Sequence, residues 1–470
     1  MKKLSLISIT LSLVLLMSAC GQNSESTTEP TNQSATQPTE IQSQSKSDNS
    51  VADDEITDIS LSDSEILVEN KAISNDISEV VYKANDIIYY EEGKAFTYGE
   101  GTQEDAHSQS EASSNTVVHI TKPGQYRLSG KLSKGQIAVD LGEDAKKDSN
   151  AVVTLILDNA DITCNLAPAV IFYNVYECSS DDAETATKDV DTALSGANVI
   201  IADDSKNTIN GSYVAKIYKP DSVVLSDDGT TVEDADKLHK YDGAFYSKMS
   251  MNINGGTKGN GVLNINATNE GLNSELHLTI NGGVININSG NDGINTNEDY
   301  VSVTTINGGE VNIIVNGSTG EGDGIDSNGW LVINGGKVKA EACSFSADAG
   351  IDSDMGIHIN GGIVVASGSM LDRIEDGSED YVTFNLMDKQ GGESLTIKDS
   401  SGEAVADIAL ENECSVILFS SPDLEDEETY ALYNGDSIVA ESGSGFMGGP
   451  GGMMPPDGHR PFEDEPPQWE

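Results

Sequence analysis

Four segments of the chain set a carboxylate or amide at a fixed spacing from a glycine: Glu270-Gly271-Leu272-Asn273-Ser274-Glu275, Asp292-Gly293-Ile294-Asn295-Thr296-Asn297, Asp323-Gly324-Ile325-Asp326-Ser327-Asn328 and Ala349-Gly350-Ile351-Asp352-Ser353-Asp354. Two residues past the glycine the series reads Asn273, Asn295, Asp326, Asp352. Stacked asparagines satisfy one another through amide hydrogen bonds, whereas stacked aspartates repel. If the segments lie on adjacent strands, Asp326 and Asp352 come about 5 Å apart, which at an effective dielectric of ~20 costs on the order of 3 kcal/mol. Asp323, Asn328, Asp348 and Asp354 crowd the same corner, and Asp292 and Asn295 stand one repeat earlier. Either these side chains splay into solvent as an acidic turn, or a hard cation sits among them. Calcium takes its ligands from carboxylates, carbonyls and water, and a turn rich in Asp, Asn and Gly offers that set. The expected metal set is therefore Asp292, Asn295, Asp323, Asp326, Asn328, Asp348, Asp352 and Asp354, with calcium as the ion. The motif is not an EF-hand, since no loop ends in a placed Glu. Gly320-Glu321-Gly322-Asp323-Gly324 only approaches a nonapeptide calcium repeat.

Catalytic alternatives are weaker. A lyase would need a base beside the cation, and the repeat region offers Lys258, His277, Lys337, Lys339, His358 and Arg373, none aligned with a neighbour into a basic strip. Lys337 and Lys339 read as residues solvating a strand face. There is no Ser-His-Asp arrangement and no CxxC metal motif. Carboxylate pairs for glycoside hydrolysis stay open, because acids are everywhere and their separation is unreadable from sequence.

The elements that must position these residues follow from a second motif, Ile-Asn-Gly-Gly, which begins at Ile253, Ile280, Ile306, Ile333 and Ile359, in steps of 26 or 27 residues. A period of this size marks a supersecondary unit completed only by stacking on the next. Within it the apolar spacing is two: Leu278 and Ile280, then Ile285 and Ile287; Leu331 and Ile333, then Val338 and Ala340. That is a strand signal, and Asn and Gly density is hostile to helix. The unit expected is a rung of a parallel β-helix, with three short strands and three turns. Its isoleucines would form an inward ladder and its Asn-Gly-Gly triplets a stacked corner. Earlier strands, at Val117–Ile120, Tyr126–Leu128, Ile137–Val139, Val152–Leu157 and Val199–Ala202, start the solenoid near Asn115 and give about nine rungs. A long insertion around Lys216 to Lys240 is expected as a surface loop.

The flanks differ in composition. Residues 1–20 carry a basic start, an apolar run from Leu4 to Met17 and the end Ser18-Ala19-Cys20, a secretory signal too short to be a good membrane span. Residues 21–58 are Ser, Thr, Gln, Asn and Pro, a disordered tether. Residues 59–114 form a leader of uncertain order, 115–380 the repeats, 381–441 a β-rich C-terminal cap over the last rung, and 442–470 a disordered Gly, Met, Pro and acid tail. Cys164 and Cys178 are spaced for a disulfide in an extracellular setting, while Cys343 and Cys414 read as buried thiols. With 78 acids against 26 bases the formal charge is −52, which disfavours nucleic acid and anionic membrane surfaces. Aromatic content is 5%, with Trp330 and Trp469 the only tryptophans, low for a sugar binder that relies on stacked rings.

Two resemblances add to this. The end of the signal is similar to the lipobox of bacterial lipoproteins, with Met17 in place of the usual leucine, which implies lipidation at Cys20 and anchoring to the outer face of the cell membrane. The run Val118-His119-Ile120-Thr121-Lys122-Pro123-Gly124-Gln125-Tyr126-Arg127-Leu128-Ser129-Gly130, the segment Asp242-Gly243-Ala244-Phe245-Tyr246-Ser247-Lys248 and both repeat motifs resemble the bacterial carbohydrate-binding domain family, typified by a clostridial cellulose- and pectin-binding β-helix protein. The resemblance covers about residues 60–440. It implies a right-handed parallel β-helix, bound calcium near the acidic turns, and non-catalytic binding of acidic plant polysaccharide or cellulose. The runner-up functions are a calcium-dependent lyase acting on polyuronates and a structural adhesion module.

Overall fold

The computed structural model describes residues 56–375, 377–425 and 428–443. The expectations for the signal, for Cys20, and for nearly all of the tether and of the acidic tail lie outside the described residues. The all-β reading holds: among the described residues the helical pieces are one α-helical turn, Gln109–Ala112, and one 3-10 turn, Glu143–Lys147.

Each Ile-Asn-Gly-Gly motif ends a strand, and these strands pair in parallel and in register. Ile253 lies opposite Ile280, Ile280 opposite Ile306, Ile306 opposite Ile333 and Ile333 opposite Ile359. All five isoleucines are fully buried. The strand after the glycines pairs likewise, through Val262–Ala267, Val284–Ser289, Glu310–Val315, Lys337–Glu341 and Ile363–Gly368. Its inward residues, from Leu263 to Ala366, close the same core. A third set holds Thr116–Ile120, Gly135–Asp140, Val170–Asn174, Gly243–Ser247, Glu270–Ser274, Ile294–Thr296 and Ile325–Ser327. The repeats therefore supply three sets of parallel strands, and in the first set residues 26 or 27 apart become neighbours, while in the other two the paired residues can stand 22 or 31 apart, as Leu272 with Ile294 and Ile294 with Ile325.

The corner between the first and second sheets is held by side chains as well as backbone. Asn281 Nδ2 donates to Asn254 Oδ1 at 3.0 Å, and Asn307 to Asn281, Asn334 to Asn307 and Asn360 to Asn334 each at 2.8 Å. The second glycine of the motif turns through positive φ, +96° at Gly283, +90° at Gly309, +85° at Gly336 and +92° at Gly362. A side chain there is strained twice over, since a Cβ on Gly309 would also stand 2.6 Å from the Gly283 carbonyl oxygen.

Two regions depart from expectation. The parallel pairing starts before Asn115, because Thr57–Leu61 pairs with Tyr126–Gly130 in the first sheet and Val81–Ala84 pairs antiparallel with Thr116–Ile120 in the third. The insertion is a hairpin rather than a loop: Val214–Tyr218 pairs antiparallel with Lys237–Tyr241, and Val224–Leu225 with Val232–Asp234 near its tip. Val214, Ala215, Ile217 and Tyr241 are buried, but a register shift between Val214 and Ile217 breaks the alternation by which a strand is read from sequence. After the last repeat, Cys414–Ser420 adds antiparallel to Ile363–Gly368 and to Tyr381–Gln390. A separate antiparallel sheet of Glu393–Lys398, Ala404–Leu410, Thr429–Asn434 and Ser437–Gly443 encloses its own core around Phe384, Ile397, Phe419 and Leu432.

Candidate functional site

Three of the acidic segments supply short strands to the third sheet, Glu270–Ser274, Ile294–Thr296 and Ile325–Ser327, and the fourth joins it only through a bridge at Ile351. Asn295 and Asp326 thus lie on strands where the sequence reading expected a turn, while Asp292, Asp323, Asp348, Asp352 and Asp354 lie outside the strands, as expected. The alternation explains the difference: Leu272, Ile294, Ile325 and Ile351 point inward and are fully buried, so the residue after each must point out. Asn273, Asn295 and Asp326 accordingly stand in register, and the Ile325–Ile351 bridge carries the column on to Asp352. A second column, ahead of each glycine, holds Glu270, Asp292 and Asp323. The high glycine content had suggested turns, but here glycine lets neighbouring backbone and core side chains approach: a Cβ on Gly293 would stand 2.6 Å from the Gly324 carbonyl oxygen and 2.1 Å from Ile313 Cγ2.

Three of the carboxylates are tied to the backbone of a neighbouring repeat. Asp292 Oδ1 accepts from the Asp323 N–H at 2.8 Å, Asp323 Oδ1 from the Ala349 N–H at 2.6 Å, and Asp348 Oδ2 from the Gly322 N–H at 2.8 Å. Glu270 is buried deepest, taking amide hydrogens from Asn273 and, at 3.2 Å, from Asn295. Those bonds do not offset the cost of gathering charge away from water. Burial, followed by the nearby Asp323 and Asp348 carboxylates, raises Asp292 to about 7. Burial and then Asp352 and Asp326 raise Asp323 to about 8, and burial and then Asp292, Asp352 and Asp354 raise Asp326 to about 8. Asp352 rises to about 6 through burial and then Asp372 and Asp354. Glu270 is pushed well up by burial and then by Asp242 and Asp292.

Of the eight residues named from sequence, the structure brings Asp292, Asn295, Asp323, Asp326, Asp348, Asp352 and Asp354 into one electrostatic cluster. Asn328 turns away, its amide donating to Asn297 O at 3.1 Å and Asp299 Oδ1 at 2.8 Å. Among the described residues no three His, Cys, Asp or Glu side chains converge as a ready-made metal cage. The donor chemistry still suits a hard cation. Asn295 uses its amide hydrogens on Glu270 and Asp292, which leaves its buried Oδ1 without a donor beside the carboxylates. An oxygen with no hydrogen to accept, among acids that resist ionising, is what a cation would complete.

The candidate bases are engaged elsewhere. His277 is buried, with Nδ1 accepting from the Val303 N–H at 3.0 Å and Nε2 3.1 Å from Ser179 Oγ, and burial lowers its pKa to about 4. Lys339 pairs with buried Glu341 at 2.6 Å, Lys258 with Asp204 and Arg373 with Glu375. Lys337 is exposed on its strand, and His358 is half-buried with a pKa lowered by burial and then by Lys188. The structure does not bridge Cys164 and Cys178. Both are free, Cys164 buried and Cys178 with Sγ 3.8 Å from Asp191 O.

Sequence reasoning missed Glu270 as a buried acid and Asp242 as a half-buried one, and it missed the grouping of Lys146, Lys248 and His239 around a cavity of about 580 Å³ beside the hairpin. Its one available signal was the density of bases from Lys216 to Lys248 in so acidic a chain.

The family described as carbohydrate-binding domain-containing protein matches residues 114–406. A comparison with curated proteins gives no match. Among solved structures, a polysaccharide lyase-like protein from C. thermocellum, solved as a gadolinium derivative, is similar at 20% identity and a TM-score of 0.37, covering 68% of this chain and 97% of that one.

Proposed function

Because the chain belongs to the carbohydrate-binding domain-containing protein family, we propose that it binds an extended polysaccharide without cleaving it, taking an acidic plant glycan such as polygalacturonate, or cellulose. The observation that carries this reading is the in-register repetition of outward polar side chains, as in the asparagine row from Asn254 to Asn360. A polymer of like units finds like donors and acceptors at each strand spacing, ~4.8 Å apart. We read the three-sheet stack as a right-handed parallel β-helix of about nine rungs, the hand that strand crossovers overwhelmingly take.

Calcium belongs to the proposal. Asp292, Asp326 and Asp352, with the Asn295 carbonyl oxygen, would hold it, and it would supply the positive charge that lets the cluster ionise near neutral pH. The mature N-terminus is proposed to be lipidated Cys20, which holds the protein at the outer face of the membrane.

A glycan array run with and without EDTA, beside an ultraviolet assay for unsaturated uronate product, tests the function. Binding without product is the expected result. Product formation would replace it with a lyase, and no glycan binding would leave a structural surface module.

A further inference from the structure

The connection between the strands Val170–Asn174 and Ala197–Ile201 does not stay within its own repeat. Thr192 is buried on the outward face of the first sheet, its hydroxyl donating to Asn252 Oδ1 at 2.6 Å and standing 2.7 Å from Thr279 Oγ1, while Asn252 Nδ2 donates to Thr192 O at 2.7 Å. Four residues earlier the segment has reached the strand Gly356–Ile359, since the Lys188 ammonium is, after burial, the next cause of the lowered His358 pKa. Residues 188–193 therefore run along the stack as a strap, across the strands instead of beside one.

A groove of about 590 Å³ follows the strap. One wall is the asparagine row from Asn254 to Asn360, the floor is the outward column of Thr279, Thr305 and Val332, and the other wall is the strap. Val332, an outward apolar residue, is only 5% exposed, so the floor is sheltered. Asn281, Asn307 and Asn334 each spend one amide N–H and one oxygen lone pair on their neighbours in the row, and each is exposed. An amide has two N–H groups and two lone pairs, so one of each is left per strand. The fixed charges of the groove all lie on the strap and are engaged there: Lys188 pairs with Asp189 at 2.6 Å, and Asp191 Oδ1 accepts from the Ala193 N–H at 2.9 Å. The sheet side of the groove is amide and hydroxyl, in a chain of formal charge −52. A second amide column, Asn264, Asn286 and Asn312 on the second sheet, is shorter and gives way to Lys339.

We propose that this groove is the binding cleft: a single glycan chain lies along the stack between the asparagine row and the strap, its uncharged hydroxyls meeting one amide N–H and one amide oxygen per strand, and calcium takes no part. The assignment rests on the glycan-binding reading and adds to it the face, the direction of the bound chain and the separation of binding from the acidic cluster. Direction follows from the row. Its five asparagines span four strand spacings, roughly 19 Å at ~4.8 Å each, and their free donors and acceptors recur only along the stack, so a chain laid across the strands would meet one set and lose the rest. Separation follows from the topology, because the groove is on the first sheet and the acidic cluster is on the third. Amides and hydroxyls bind without a counter-ion, so removing calcium leaves these contacts in place. The strap supplies what the second-sheet column lacks, a facing wall that encloses the chain and excludes water from the amide contacts.

The test is calorimetric titration of the full mature chain with cellohexaose and with trigalacturonate, each in calcium and in EDTA. The proteins are wild type, Asn307→Ala/Asn334→Ala, Thr305→Trp, and a control, Asn286→Ala/Asn312→Ala, which removes the same chemistry from the second sheet. Thr305→Trp fills the floor and leaves the amide row intact, so it reads the groove even if the alanine pair fails to fold; melting temperatures establish which proteins are folded. Wild type and control should bind cellohexaose equally in calcium and in EDTA, and each folded groove variant should weaken it about tenfold or more, as loss of two hydrogen-bonded contacts or a blocked floor predicts. Cellohexaose binding that survives Thr305→Trp, or that disappears in EDTA from a protein still folded, overturns the groove and leaves the glycan-binding function standing, as does wild type that binds only trigalacturonate. Wild type that binds neither probe overturns both.

Discussion

Asn295 and Asp326 face each other across one strand spacing, and the charge they do not share decides how this part of the molecule responds to pH. Asp292, Asp323, Asp326 and Asp352 all have folded-state pKa values above the ordinary 3.8, at about 7, 8, 8 and 6. The folded chain therefore binds more protons than the unfolded chain between those limits. Their contribution to stability is fully present below pH 4 and is lost as pH rises through about 8. The exposed Asp203, Asp204 and Asp228, whose pKa values are lowered by hydrogen bonds, act in the opposite sense at lower pH, and His239 and His277, lowered by burial to about 4, oppose the cluster as far as their ordinary 6.5, so four raised carboxylates outweigh two histidines from 6 and stand alone above about 7. Calcium-free protein should thus melt at a lower temperature at pH 8 than at pH 6, and calcium should abolish the difference; a flat calcium-free profile would show that the cluster is already solvated. Asp326→Asn with Asp352→Asn extends the amide column of Asn273 and Asn295. That variant should gain stability without calcium at pH 8 and lose most of the calcium response. Saturating calcium adds RT ln(1 + [L]/Kd), about 2.7 kcal/mol at a hundredfold excess over Kd, so the loss is measurable by thermal melting in EDTA and calcium.

At the scale of the element, one sheet position faces the core and the next faces water. Ile306 is fully buried between Ile280 and Ile333, whereas His358 is a half-buried outward residue beside Val332. Ile306→Asp buries an unpaired carboxylate and should cost several kcal/mol, unfolding neighbouring repeats, while His358→Asp should change the urea midpoint little. Equal damage would contradict the alternation. The corner glycines give a second contrast. Gly309→Ala combines positive φ with the Gly283 carbonyl contact and should cost about 1–3 kcal/mol. Gly308→Ala, whose Cβ would stand 3.2 Å from Asn281 O, should cost less in the same denaturation measurement.

At the scale of the molecule, the described repeats end at Ile363–Gly368, and that end is closed by strands that break the repeat. Cys414–Ser420 satisfies the edge of Ile363–Gly368, and Glu341, buried in the last repeats, accepts from the Glu411 N–H at 2.7 Å and the Asn412 N–H at 2.8 Å. Deleting residues 381–443 would leave a parallel edge with Val364 and Ala366 beneath it, so the truncated chain should aggregate, as light scattering would register. At the other end the prediction is cellular. Cys20→Ala should move the protein from the membrane fraction to the medium, and an unlipidated wild type by mass spectrometry would remove the anchor from the proposal.

What the sequence determined by itself was everything that repeats. The isoleucine period and the alternation around it need no partner to be read, because an in-register stack makes each residue's neighbour its own equivalent 26 or 27 positions away. The acid column from Asp326 to Asp352 was legible for the same reason. What only the tertiary structure decided was everything that does not repeat. The burial that lifts Glu270 and Asp292 depends on neighbouring repeats closing over them, and the turning away of Asn328 depends on its two amide hydrogen bonds, to Asn297 O and Asp299 Oδ1. Lys146 comes from the 3-10 turn Glu143–Lys147, Lys248 from just past the strand Gly243–Ser247 and His239 from the insertion, with no common period, and only the folded chain brings them to one cavity.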